Sequence, residues 1–266
     1  MQDDPFRIAH ISDVHCGGPY FMPTLLERAI DEINDLDPQI VVCTGDLTSF
    51  GFRPEYQQAR EYLDKIECES LVVIPGNHDS RNVGYVHFED LFGQRNSVLR
   101  KEGVTIVAVD STEPDLDHGQ IGRGRYPWIE EEFATGDPHL RIFVLHHHLL
   151  PVPGTGRERN VVYDAGDALE CLQRARVQIV LSGHKHVPYA WRLENMFILN
   201  AGTVSSLRLR GNTRPCYNVI EVEGTHVSVW RRYPFHGQER IIQFDYATGE
   251  YEKYTGRIER EVTAKR

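Results

Sequence analysis

The chain has 266 residues, 40% of them apolar and 26% charged, and a formal net charge of −10. This length and apolar share allow a sizeable core, in one large domain or two small ones, and no uninterrupted apolar run of about 18 residues is present to span a membrane. The negative charge and the lack of any basic run with interleaved aromatics argue against extended nucleic acid as a partner, but not against a small anion drawn to bound cations. The acidic start Met1-Gln2-Asp3-Asp4-Pro5 has no apolar signal core, so a cytoplasmic protein is expected. Cys16, Cys43, Cys68, Cys171 and Cys216 are odd in number and lack CxxC spacing, which predicts free thiols in a reducing compartment.

In chain order, Ile8-Ala9-His10-Ile11 is an apolar run of strand length that leads into Asp13-Val14-His15. Leu25, Leu26, Ala29, Ile30, Ile33 and Leu36 then recur at helical spacing, with Thr24 as the expected N-cap. A second strand, Ile40-Val41-Val42-Cys43, runs into Gly45-Asp46. Pro54 marks the next helix start, and Tyr56, Ala59, Tyr62, Leu63 and Ile66 share one face. Leu71-Val72-Val73-Ile74 delivers the turn Pro75-Gly76-Asn77-His78-Asp79. Alternating strand and helix signals predict a parallel sheet.

A helix follows at 86–92, then a strand at 104–109, a long loop at 111–126 able to overhang a site, and a helix at 128–133. Ile142-Phe143-Val144-Leu145 meets His146-His147-His148. A helix at 164–174 precedes Ile179-Val180-Leu181, which meets Gly183-His184-Lys185-His186. From about residue 187 the pattern turns to strands, at 189–193, 196–199, 216–222 and 227–233, with Glu223-Gly224 as a hairpin turn. No repeat or linker divides the chain, so residues 1–266 read as one domain, and the strand-rich C-terminal part offers an edge for a homodimer.

Five strands thus carry Asp, His and Asn to one edge of a sheet, the layout of a catalytic site. These donors suit Mn²⁺, Fe²⁺, Zn²⁺, Co²⁺ or Ni²⁺ rather than soft Cu(I). Asp13-x-His15 and His184-x-His186 each put two donors on alternate positions, and the whole set exceeds what one ion needs. Two ions about 3.5–4 Å apart need a bridging carboxylate, for which Asp46 is the candidate. Isolated histidines such as His10, His87, His118, His139, His226 and His236 read as surface or satisfied core residues.

The ordered set Asp13-x-His15, Gly45-Asp46, Gly76-Asn77-His78-Asp79, His146-His147 and Gly183-His184-x-His186 resembles the calcineurin-like metallophosphoesterase superfamily. The flanking Thr44-Gly45-Asp46-Leu47-Thr48 and Asn200-Ala201-Gly202-Thr203 further resemble its bacterial cyclic-nucleotide phosphodiesterase branch. The resemblance implies an α/β fold, a four-layer α/β/β/α sandwich of two mixed sheets flanked by helices. It implies two divalent metal ions, Mn²⁺, Fe²⁺ or Fe³⁺, Zn²⁺ or Co²⁺. Asp13, His15 and His186 would hold the first, Asn77, His146 and His184 the second, and Asp46 would bridge them. His146 is preferred because it comes straight off its strand, with His147 as the alternative. His78 would stand uncoordinated above the metals as a catalytic residue, oriented by Asp79.

The expected activity is hydrolysis of a small phosphodiester, a 3′,5′-cyclic nucleotide foremost, by a metal-bridging hydroxide. The alternatives are a phosphomonoesterase, a nuclease, a phospholipid-headgroup diesterase, or a binding scaffold that has lost turnover. No donor is missing from the set, which favours an enzyme over a scaffold.

Overall fold

A computed structural model describes residues 5–136, 139–155 and 161–254. The first half alternates as expected: β1 (Phe6–Ile11), α1 (Pro23–Asp35), β2 (Ile40–Cys43), α2 (Arg53–Leu63), β3 (Ser70–Val73) and α3 (Gly84–Phe92). There follow β4 (Ser97–Lys101), β5 (Val104–Ala108), α4 (Tyr126–Ala134), β6 (Leu140–Val144), α5 (Ala165–Arg174) and β7 (Ile179–Ser182). The chain then runs through β8 (Tyr189–Leu193), β9 (Met196–Asn200), β10 (Tyr217–Glu223), β11 (His226–Tyr233), β12 (Gly237–Asp245) and β13 (Tyr251–Lys253).

These strands form two mixed sheets, ordered β13-β12-β11-β10-β1-β2-β3 and β4-β5-β6-β7-β9-β8. The parallel centres, β1-β2-β3 and β5-β6-β7-β9, are bordered by antiparallel strands. Between the sheets, Ile8, Ile40, Val42 and Ile220 pack against a set that includes Ile106, Ile142, Leu181 and Leu199. On the outer face of the first sheet, Leu26, Ile33, Tyr56 and Phe88 of α1–α3 cover Ala9, Val41 and Tyr217. On the other side Ile129, Phe133 and Leu172 of α4 and α5 cover Phe143, Val180 and Ile198. The four layers are therefore α/β/β/α. Strands apolar on both faces are why β1, β2, β6 and β7 appear in the sequence as continuous apolar runs, and each buried Ile, Leu or Val contributes roughly 1.5–3 kcal/mol.

Three expectations change. The donors do not share one sheet edge: β1, β2 and β3 present theirs from the first sheet, and β6 and β7 from the second. Met22, not Thr24, is the N-cap of α1, because Pro23 needs no amide partner and its fixed φ suits the first helical position. β4, β12 and β13 were not anticipated. The segment 151–163 between β6 and α5 lies partly outside the described residues. No helix among the described residues is long and apolar enough to cross a membrane.

Candidate metal centre

The donors sit on loops that leave the strands abruptly. Asp13, His15, Asp46, His184 and His186 all have φ between 52° and 81°, the left-handed region that costs a non-glycine residue of order 1 kcal/mol or more. Such strain persists only where the surroundings fix it. The amides of Asp13, His15 and Cys16 donate to the carbonyls of Gly45, Asp46 and Leu47, each at 2.9 Å. Thr203 and Ser205 hydroxyls donate to the carbonyls of Asp13 and Val14 at 2.6 and 2.9 Å. Gly183 lets the second sheet close on the first, since a Cβ there would lie 1.8 Å from Ser12 Oγ and 2.6 Å from Asp13 Oδ2.

Side chains from all five loops converge, buried. His15 Nε2 and His186 Nε2 face each other at 2.8 Å, with Asp13 Oδ1 3.3 Å from His186 Nε2. Asn77 Oδ1 lies 3.1 Å from His146 Nε2 and 2.9 Å from His184 Nδ1. Asp46 stands between the two groups, with Oδ2 3.6 Å from His15 Nε2 and Oδ1 3.4 Å from His146 Nε2. Asp13 with His15 and His186, and Asp46 with His146 and His184, are each close enough to share one ion.

The arrangement fits divalent cations on its own terms. His146 Nδ1 donates to the Thr44 carbonyl and His186 Nδ1 to the Arg208 carbonyl, both at 2.6 Å. This fixes the tautomer so that in each neutral ring the Nε2 lone pair points into the cluster, the way ligating imidazoles are held. Asp13 Oδ1 is buried without a hydrogen-bond partner among the described residues.

Electrostatics agree. Burial opposes the Asp46 charge, but His146, His78 and His15 outweigh it and hold the carboxyl well below its usual range. Burial likewise opposes charge on His146, yet Asp46 and Asp13 and the Thr44 carbonyl raise it to about 9. His15, where burial dominates over Asp46, falls to about 3. A pair of buried carboxylates is thus matched by rings of which some stay neutral, a site that favours added positive charge.

His78 reaches the same place from the β3 loop, its ring edge-on to His15 with centroids 4.8 Å apart. Its Nδ1 donates to the Ser49 carbonyl at 2.6 Å, so Nε2 is the edge left for chemistry. The expectation that Asp79 orients this ring is corrected. The buried Asp79 carboxylate accepts hydrogen bonds from the amides of Gly76, Leu47 and Thr48 and from the Thr48 hydroxyl, at 2.8–3.0 Å. It clamps the β2 loop to the β3 loop. Burial and the neighbouring Asp46 push it up to about 7 against those donors.

His147 Nδ1 is 2.8 Å from Ser111 Oγ, whereas His146 Nε2 is 3.4 Å from Asp46 Oδ1. Sequence reasoning assigned no role to Asp117. Asp117 of the 111–126 loop accepts from Asn77 Nδ2 at 3.2 Å and pairs with Arg81 at 2.5 Å, so that loop does overhang the site. Arg81 also approaches His78 Nδ1 at 3.2 Å. The orienting carbonyls leave no trace in the sequence, since every residue type carries one.

The family pattern described as calcineurin-like phosphoesterase matches residues 6–188. The chain belongs to that family. Within it, a cAMP/cGMP dual specificity phosphodiesterase from Mycobacterium tuberculosis (strain CDC 1551 / Oshkosh) is 27% identical over 196 residues, 68% of this chain and 62% of the relative. The 3′,5′-cyclic adenosine monophosphate phosphodiesterase CpdA of Escherichia coli strain K12 is 27% identical over 149 residues, 55% of this chain and 54% of CpdA. The chain therefore spans less than two thirds of the length of either. Among solved structures, PhoD superposes with a TM-score of 0.70 at 9% identity, over 97% of this chain and 73% of PhoD. A purple acid phosphatase from yellow lupin (Lupinus luteus) seeds gives 0.65 at 14% identity, over 95% and 53%. At those identities the family's fold is what is shared.

Proposed function

We propose that this calcineurin-like phosphoesterase is a metal-dependent phosphodiesterase that hydrolyses a small phosphodiester, a 3′,5′-cyclic nucleotide foremost. The observation that carries the reading is Asp46, whose two oxygens face one histidine from each donor group. Asp13, His15 and His186 would hold one divalent cation, Asn77, His146 and His184 a second, and Asp46 would bridge them. Such ions, when bound, supply Lewis acidity towards phosphoryl oxygens and make a bound water acidic near neutral pH. The chain's own contribution is positioning. Carbonyls of Thr44 and Arg208 hold the imidazoles, and Thr203 and Ser205 hold the strained Asp13 loop. His78 Nε2 would hand a proton to the departing ester oxygen, and only as imidazolium, because Nδ1–H is committed to the Ser49 carbonyl. Relatives named as cyclic nucleotide phosphodiesterases support the diester class. Free cysteines, most of them buried, fit a reducing compartment such as the cytoplasm.

The test is turnover of the Mn²⁺-loaded protein against cyclic nucleotides, aliphatic diesters and monoesters, with and without excess chelator. Diester hydrolysis abolished by chelation and restored by metal is expected. Asp46→Ala should lower occupancy of both ions by elemental analysis. Full turnover after long chelation, or two metal equivalents in the variant, contradicts the proposal.

A further inference from the structure

Two cavities flank the donor cluster and share Arg81 as a wall. The larger, about 760 Å³, is mostly polar, with Asn82, Asp115, Asp117 and His118 in its lining. The smaller, about 150 Å³, opens onto His15 and His78 and is walled by Tyr20, Phe21 and Phe50, with Arg208 at its side. Tyr20 and Phe50 are 54% and 44% exposed, so two large rings stand accessible to a ligand at the lip of the site. Their backbones are tied down. Leu207 N donates to the Tyr20 carbonyl at 2.9 Å, Phe50 N donates to Glu55 Oε2 at 2.9 Å, and Phe50 directly follows Ser49, which holds His78.

Charge on this wall is positive in an acidic chain. Arg81 is engaged by Asp117, while the Arg208 guanidinium has no hydrogen-bond or ion-pair partner among the described residues. The Arg208 carbonyl meanwhile holds His186, so the residue cannot drift from the donors. A cavity well below the roughly 300 Å³ of a drug-sized pocket admits one flat ring system and leaves the rest of a ligand over the donor cluster.

We propose that the cavity walled by Tyr20, Phe21 and Phe50 is the subsite for a nucleobase, stacked on these rings with Arg208 donating to its ring nitrogens or exocyclic oxygen. The chain would thereby select nucleotide diesters over aliphatic ones. This deepens the phosphodiesterase reading and rests on it for the placement of the phosphate.

Calorimetric binding of adenosine 5′-monophosphate and of ribose 5-phosphate to the metal-loaded full chain separates the base from the rest of the ligand. The nucleotide should bind roughly tenfold tighter or more, the usual worth of one base stacked on aromatic side chains. Phe50→Ala and Tyr20→Ala should remove most of that ratio, and Phe50→Trp should keep it. The kcat/KM ratio of cyclic AMP to a glycerophosphodiester should fall in parallel. Both rings are exposed, and an unchanged urea midpoint checks that the variants fold. Equal binding of the two ligands by the unsubstituted protein, or equal weakening of both in Phe50→Ala, overturns the subsite. Absence of any diester turnover overturns the phosphodiesterase reading instead, and the binding ratio still decides the subsite.

Discussion

The two residues that close the β3 turn, His78 and Asp79, are adjacent in sequence but separable by experiment. If His78 Nε2 assists the departing oxygen, His78→Ala should keep its metal yet lose roughly 10²–10⁴-fold in rate on diesters with alkoxide leaving groups. A nitrophenolate leaves without a proton, so the loss should shrink on aryl diesters. Equal losses in kcat/KM on both classes would instead indicate electrostatic stabilisation. Asp79→Ala should act on the fold. It strands the amides of Gly76, Leu47 and Thr48, each a buried donor whose loss of partner costs about 1–3 kcal/mol. A fall of roughly 3–5 kcal/mol in urea-unfolding stability is expected once partial relaxation is allowed for. Wild-type stability with a rate defect alone would restore the orienting role for Asp79. The donors themselves were legible because Asp, His and Asn follow apolar runs at short, regular offsets. Tyr20, Phe50 and Arg208 were not, since an aromatic or an arginine in a loop carries no periodic signal and only the fold brings these three beside His78.

At the scale of elements, the site depends on how closely two strand-end loops approach. Gly45 and Gly76 stand back to back. A Cβ on Gly76 would lie 2.2 Å from Asp46 Oδ1 and 2.3 Å from the Asp46 amide nitrogen, and backbone cannot swing aside as a side chain can. Gly76→Ala should therefore push the β2 loop and its Asp46 away from the β3 loop. The expected outcome is a rate loss on the order of 10²-fold, as for a displacement of about 1 Å, with a stability loss of about 1–3 kcal/mol from overpacking. Gly166 in α5 is the matched control, since nothing lies within 4 Å of its Cβ position. Gly166→Ala should be neutral or slightly stabilising by helix propensity. Comparable activity in Gly76→Ala and Gly166→Ala would show that the close approach does not matter. Strands buried on both faces announced themselves in the sequence. β4 and β13 did not, because an edge strand such as Ser97–Lys101 or the exposed Tyr251–Lys253 needs little apolar residue, and β12 breaks its pattern with Glu239, Arg240 and Gln243.

Over the whole molecule, the site exists because two sheets face each other with their loops at the same end. Periodicity describes one element at a time and is silent on which strands pair, so the division of the donors between two sheets was not legible in the residues, which read as one sheet edge. The inter-sheet core draws on residues from Ile8 to Phe244 and packs the two sheets as one unit. That unit has a pH dependence of its own, seated in His10 on β1. The ring is fully buried, with Nε2 3.1 Å from Thr44 Oγ1 and Nδ1 3.4 Å from Asn218 Nδ2. Burial lowers its pKa from 6.5 to about 3, and the charge of Asp13 offsets this only in part. Between those values the unfolded chain binds a proton that the folded chain does not, so stability rises with pH there and is lost on acidification below 6.5. The loss approaches about 1.4 kcal/mol per pH unit for this one group. His10→Gln removes the titration at the expense of some packing, so it should be less stable at pH 7.5 yet show an acid arm shallower by nearly one proton. Urea midpoints of both proteins from pH 7.5 to 4.5, in chelator so that metal release contributes to neither, give the two slopes. Parallel slopes would mean that His10 is protonated in the folded state and that its burial is not what makes the fold sensitive to acid.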